Sequence, residues 1–275
     1  MTPQPLLETR HVSKRFGAVQ ALKNVDFDVY PGEVVALVGD NGAGKSTLVK
    51  GIAGIYGFDE GEVYYNGKRV HIHTPRDAAR LGIEVVYQDL ALADNLDVVA
   101  NMFLGREWNQ MVPHTIGAEA VKLSPFTRFF RNLLPVDEVK MEKKAVETLN
   151  ELSVMTLRSV RLPVASLSGG QRQSVAIAKA VLWNSQLVIL DEPTAALGVA
   201  QTRQVLDLVR RLAEKQLGVV IISHNLHDIF EVADRITVMR LGQKVKTYMS
   251  KETNQQEIVH AITAGKLDTV PGMAS

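Results

Sequence analysis

The chain has 275 residues, 46% apolar and 22% charged, the profile of a globular protein long enough to bury a sizeable core. Lys plus Arg number 31 against 30 for Asp plus Glu, so the net charge of +1 lacks the basic excess of a protein that coats nucleic acid. The absence of cysteine excludes disulfides, thiol nucleophiles and cysteine-held zinc or iron–sulfur centres and fits a reducing compartment. No apolar run approaches the roughly 18 residues of a membrane span, and residues 1–10 do not read as a signal peptide.

The first 70 residues read as strands. Residues 25–30 alternate apolar and polar, as in a half-buried strand, and Pro31-Gly32 is a turn. Residues 33–38 form a near-continuous apolar run, the pattern of a strand covered on both faces. A glycine-rich stretch follows, then a helix over 47–53. A strand at 62–65 closes on Asn66-Gly67, a hairpin turn. Residues 83–87 form a short strand. From 89 to 166 the pattern turns helical, with an amphipathic helix at 140–152 and an irregular piece from 108 to 135 that carries Pro113, Pro125 and Pro135. The last third returns to alternation: a buried strand at 187–190, a helix at 199–216 with Gly218 as its stop, and a second buried strand at 219–222. A hairpin over 236–239 and 245–249 turns at Leu241-Gly242, and a closing helix spans 254–264. Strands alternating with helices predict an α/β fold with a mainly parallel sheet covered on both faces.

Three motifs carry chemistry. Gly39-Asp40-Asn41-Gly42-Ala43-Gly44-Lys45-Ser46-Thr47 matches the phosphate-loop pattern, with a buried strand before it and a helix after it. Average residue frequencies put a chance match in a chain of this length at about 1 in 100. Its glycines let backbone N–H groups converge on phosphate oxygens, the helix start adds partial positive charge, Lys45 suits the β- and γ-phosphates and Ser46 suits Mg²⁺. Leu187-Val188-Ile189-Leu190-Asp191-Glu192 is a buried strand ending in two carboxylates at the edge where open α/β sheets bind ligands. There Asp191 suits Mg²⁺ and Glu192 an attacking water, although by itself the pair reads equally well as a solvated acidic turn. Leu167-Ser168-Gly169-Gly170-Gln171 places a serine N-cap and two glycines at the start of a helix over 171–183, a second anion-binding helix start.

These three motifs, in this order, resemble the nucleotide-binding subunit of an ABC transporter, over about residues 6–264. The resemblance implies a P-loop ABC ATPase built from a core with an antiparallel β subdomain (1–88 and 167–265), a helical subdomain (89–166) and a tail (266–275). It implies further roles for Phe16 as the aromatic stacked on adenine, for Gln88 as a ligand of Mg²⁺ and the water, and for His224 as a γ-phosphate contact. Without the resemblance Phe16 reads as a core residue, and Gln88 and His224 as loop residues. Ser168, Gly169, Gly170 and Gln171 would contact the nucleotide of a second copy, so the resemblance implies a homodimer holding ATP and Mg²⁺. One position departs from the family. After Asp191-Glu192-Pro193-Thr194-Ala195-Ala196-Leu197, Gly198 stands where an aspartate normally helps two protomers sense each other.

The text Asp191 to Gly198, with Asn101-Met102-Phe103-Leu104-Gly105-Arg106-Glu107, resembles the ATPases of bacterial monosaccharide importers, and the single cassette points to the fructose-type branch. The expected partners are integral membrane permease subunits docked on the helical part and, indirectly, a periplasmic or extracellular sugar-binding protein, with no nucleic acid. The expected location is the cytoplasmic face of the inner membrane, peripherally bound. The rival readings are a soluble ABC-type ATPase acting on nucleic acid or the ribosome, and a plain P-loop kinase that leaves Leu167–Gln171 unexplained. His71-Ile72-His73 reads as a solvated strand face rather than a metal pair. Lys122, Arg128 and Arg131 with Phe126, Phe129 and Phe130 read as a loop packing its aromatics, with a lipid or permease contact as the alternative.

Overall fold

The computed structural model describes residues 4–109, 135–154 and 157–264; most of the 108–135 piece, with its basic and aromatic residues, and the 266–275 tail lie outside them. Two sheets form. Strands β1 (Leu7–Phe16), β2 (Val19–Val29), β4 (Glu60–Tyr65) and β5 (Lys68–Val70) make an antiparallel sheet in the order β2-β1-β4-β5. A six-stranded sheet has the order β10-β9-β3-β8-β7-β6. Its strands are β3 (Val34–Val38), β6 (Ile83–Val86), β7 (Leu187–Asp191), β8 (Gly218–Ile222), β9 (Arg235–Arg240) and β10 (Gln243–Met249). Every pairing in it is parallel except that of β9 with β10.

The apolar runs explain this sheet. In β3, Val34, Ala36 and Val38 face one apolar cluster while Val35 and Leu37 face another. In β7, Val188 and Leu190 separate in the same way from Leu187 and Ile189, and in β8 Val219 and Ile221 separate from Val220 and Ile222. A strand with two buried faces has no polar alternation to show, so these segments read as continuous hydrophobic runs. One cluster fills the space between the sheets and takes in Leu48, Val49 and Ile52 of helix α1 (Lys45–Ile52). The other lies beneath α3 (Val98–Phe103), α4 (Glu138–Glu151), α5 (Gly169–Val181) and α6 (Val199–Glu214). Helices α2 (Pro75–Arg80), α7 (Leu226–Val232) and α8 (Gln255–Ala264) complete the described fold.

Both predicted hairpins form, and both turns place two successive residues at positive φ: Asn66 and Gly67 at 48° and 70°, Leu241 and Gly242 at 48° and 76°. This backbone matches the right-handed twist of the strands it joins. The segment after 89 is less helical than expected: its described part holds α3, α4 and a short 3₁₀ turn at Val164–Ser166. Buried Asn101 holds the turns there. Its Oδ1 accepts from Ala93 N–H at 2.7 Å, and its Nδ2 donates to the carbonyls of Ala93, Leu96 and Asp97 at 2.9, 3.2 and 3.0 Å. Gly218 does not stop α6 but starts β8. Gln216, at a φ of 66°, turns the chain, and Gly218 lies where a Cβ would come within 2.9 Å of Leu6 and 3.1 Å of Val29.

Gly198 is the N-cap of α6, with extended backbone, no capping side chain and open space around its missing Cβ. Gly198→Asp is therefore expected to stabilise the fold. It supplies a capping carboxylate, places negative charge at a helix start with no acid in its first turn, and narrows the unfolded ensemble. The gain should be about 1 kcal/mol, a Tm increase of roughly 2 °C in a thermal melt.

Candidate functional site

The strand order sets the site. Leu37 of β3 pairs with Ile222 of β8, and Ile222 pairs with Asp191 of β7, so the three carboxyl ends form one row. One step beyond that row lie the phosphate loop, Ser223-His224 and Glu192. On the next strand Val86 pairs with Leu190, which brings Tyr87 level with Asp191 and exposed Gln88 just past it. Parallel pairing thus gathers Lys45, Ser46, Gln88, Asp191, Glu192 and His224 on one edge.

The phosphate loop, 39–44, is pressed against its surroundings. Gly39 has φ 150°, and a Cβ there would sit 2.2 Å from the Met239 carbonyl. Gly44 has φ 99°, with the Ala21 carbonyl 2.9 Å from its missing Cβ. The Leu241–Gly242 turn supports the loop from β9 and β10: Gly242 N–H donates to the Ala43 carbonyl at 3.0 Å, and the Gly242 carbonyl accepts from Lys23 N–H at 2.8 Å. Lys45 Nζ reaches back over the loop to the carbonyls of Gly39 and Asp40 at 2.6 and 3.0 Å. Burial pulls the Lys45 ammonium below its ordinary pKa, against the raising charges of Glu192, Asp40 and Asp191. Ser46 and Thr47 occupy the first turn of α1, where free N–H groups and the helix dipole favour an anion.

The two acids differ. Burial, and then the neighbouring Glu192 charge, push the Asp191 carboxyl above its ordinary value, while Lys50 and Lys45 oppose the shift. Glu192 is held in the left-handed region at φ 52°, a conformation uncommon for a residue with a Cβ. Its N–H donates to the Ile222 carbonyl at 2.9 Å, and its Oε2 lies 2.9 Å from His224 Nδ1. Glu192 is 19% and His224 81% exposed, so the pair sits at the rim of the edge.

Phe16 is not a core residue: it is 47% exposed. It ends β1 and meets Tyr56 edge-on, with ring centroids 5.2 Å apart. Tyr56 Oη donates to the Thr47 carbonyl at 3.0 Å, which ties the aromatic pair to the phosphate-loop helix. Lys14 Nζ lies 5.6 and 5.5 Å from the two rings and pairs with Asp59 at 2.7 Å. No sequence signal singled out Tyr56.

Ser168 caps α5 as the sequence predicted. Its Oγ accepts from Gln171 N–H at 3.3 Å, and Gln171 Oε1 accepts from Ser168 N–H at 2.9 Å. The added Cβ atoms of Gly169 and Gly170 would meet Leu197 and Gln201, so this helix start packs on the segment after Glu192. The phosphate loop packs instead on Ala21, Leu22 and Met239. His71 and His73 are exposed with stacked rings 6.1 Å apart, and among the described residues no three His, Cys, Asp or Glu gather as a metal site.

The family profile described as "ABC transporter" matches residues 22–195. The chain belongs to the ABC transporter family. It is 44% identical to the fructose import ATP-binding protein FrcA of Rhizobium meliloti, covering 97% of this chain and 96% of that protein. It is 42% identical to the xylose/arabinose import ATP-binding protein XylG of Sulfolobus acidocaldarius, over 96% of each. Among solved structures, a nucleotide-free ATP-binding cassette from an ABC transporter superposes with TM-score 0.73 at 27% identity, covering 94% of this chain and 95% of that one. A dimeric, post-hydrolysis cassette, MJ0796 bound to ADP and Pi, superposes with TM-score 0.69 at 25% identity, covering 90% and 100%. The two-sheet arrangement is thus the ABC ATPase fold.

Proposed function

We infer that the chain hydrolyses ATP at this edge and that hydrolysis energises import of a monosaccharide through a separate membrane permease. The observation that carries the reading is the joint placement of Lys45, Asp191, Glu192 and His224 at three adjacent strand ends. Similarity to single-cassette sugar-import ATP-binding proteins along nearly the whole chain supplies the transport class.

In this reading the adenine stacks on exposed Phe16, backed by Tyr56, and the phosphates lie along residues 39–47. Lys45 exchanges its loop carbonyls for phosphate oxygens, a charge-assisted contact. Glu192 accepts a proton from the attacking water, the water oxygen bonds to the γ-phosphorus, and the bond to ADP breaks. Nδ1 of His224 steadies the carboxylate while Nε2 faces the γ-phosphate. Ser46, Gln88 and Asp191 offer hard oxygen donors that suit Mg²⁺, and a cation there would relieve the charge crowding of Asp191 beside Glu192. When bound, that ion would neutralise phosphate charge. Ser168, Gly169, Gly170 and Gln171 of a second copy complete the site in a head-to-tail homodimer. Residues 89–166 serve as the helical subdomain on which the permease docks, and the sugar-binding protein meets the permease outside. Attachment is peripheral, at the cytoplasmic face, through the permease; among the described residues no helix is long and apolar enough to cross a membrane.

Fractionation tests the transport class against a nucleic-acid ATPase. The chain should sediment with membranes of cells that make its permease and stay in the supernatant without it, and DNA or RNA should leave its ATPase rate unchanged. A soluble chain with nucleic-acid-stimulated hydrolysis would replace this reading with its rival.

A further inference from the structure

Glu192 and His224 sit on different loops, so their meeting depends on how those loops are held. Three contacts join them. Glu192 N–H donates to the Ile222 carbonyl at 2.9 Å, and the Glu192–His224 contact spans 2.9 Å. Beneath both, Thr194 Oγ1 donates to Asp228 Oδ2 at 2.7 Å. This third bond joins two side chains in the interior, with Thr194 9% and Asp228 3% exposed.

Local bonds shape each loop, Ala195 N–H to the Glu192 carbonyl at 3.1 Å and Leu197 N–H to the Thr194 carbonyl at 3.3 Å in the acidic turn and His227 N–H to Asn225 Oδ1 at 3.1 Å at the start of α7, but none of them sets one loop against the other. The acidic turn carries two residues with side chains in the left-handed region, Glu192 at φ 52° and Ala196 at 59°. His224, 81% exposed, has little packing to fix its ring. Its backbone leads through Asn225, whose N–H donates to Ser223 Oγ at 3.0 Å, into the N-terminus of α7. Asp228 lies in the first turn of that helix. The Thr194–Asp228 bond therefore ties the turn that presents Glu192 to the helix whose start presents His224.

We propose that Thr194 and Asp228 are positioning residues: their buried bond sets the register of the acidic turn against α7 and so holds Glu192 and His224 in reacting geometry. The inference rests on the reading of Glu192 and His224 as the reacting pair. It separates from a purely structural role because it locates the loss in turnover and makes that loss depend on His224.

The test is ATP hydrolysis by the purified chain, with kcat and the KM for ATP measured separately. Thr194→Val, which keeps the shape and removes the hydroxyl, should lower kcat about tenfold or more and leave KM within about twofold, since displacing reacting groups by about 1 Å is costly. Thr194→Ser, which restores the hydroxyl, should return kcat to within about threefold of wild type. In a His224→Ala background, Thr194→Val should change the residual single-turnover rate by less than about twofold, the non-additivity of residues acting as a unit. If Thr194→Val does not fold, Thr194→Ala takes its place with the same expectations. Wild-type kcat in Thr194→Val, equal losses in Thr194→Val and Thr194→Ser, or the same fold-loss with and without His224 would each overturn the proposal. Wild-type turnover in both Glu192→Gln and His224→Ala would instead remove the reacting pair on which it rests. That result is distinct from one in which the pair matters and Thr194 does not.

Discussion

Glu192→Gln should bind ATP with Mg²⁺ as tightly as wild type and hydrolyse it about 10²–10⁴-fold more slowly in a single turnover, the usual effect of losing a general base. The substitution keeps the volume and one acceptor oxygen, so the turn at φ 52° and the bond to Ile222 have no reason to move. What changes is basicity: an amide takes no proton from water. The contact to His224 Nδ1 survives through the amide oxygen. Hydrolysis within about threefold of wild type would remove Glu192 from the reaction.

The second large effect is expected from two inactive variants mixed together. Lys45→Ala removes the ammonium that bridges the Gly39 and Asp40 carbonyls, and with it the charge-assisted contact to phosphate. Ser168→Arg removes the cap of α5, a loss of about 1 kcal/mol that the fold should survive, and fills the space a γ-phosphate would occupy. If each site takes its phosphate loop from one copy and Ser168 from the other, a mixed dimer has one doubly damaged site and one intact site. Random pairing makes about half the dimers mixed, so about a quarter of all sites should recover. With Glu192→Gln added to both chains, recovery reads as trapped ATP rather than turnover. Mixed dimers that form but trap no more ATP than either parent would show that Ser168 does not act across the interface.

Much of this was legible in the sequence because the informative segments are local. The runs in β3, β7 and β8 are buried on both faces, the phosphate loop is contiguous, and Leu241-Gly242 and Asn66-Gly67 are turns set by their own backbone. Ser168 and Gln171 form their capping box within a single turn. The rest depends on register between distant segments. The Glu192–His224 contact exists because Asp191 pairs with Ile222, which no spacing encodes. Phe16, read without the resemblance, passes for a core residue; it ends β1 47% exposed, with Tyr56, forty residues downstream, edge-on to its ring. Gly218 looks like a helix stop because glycine commonly is one, whereas here Leu6 and Val29 leave no room for a Cβ and Gln216 makes the turn.

Sugar uptake by membrane vesicles from the native host, energised by ATP supplied on the side that carries the chain, measures the proposed transport itself. A panel of radiolabelled monosaccharides should reveal at least one whose uptake requires ATP with wild-type chain and vanishes with Glu192→Gln, while the same amount of chain remains on the membrane. Uptake of every sugar in the panel unchanged by Glu192→Gln would exclude import driven by ATP hydrolysis on this chain.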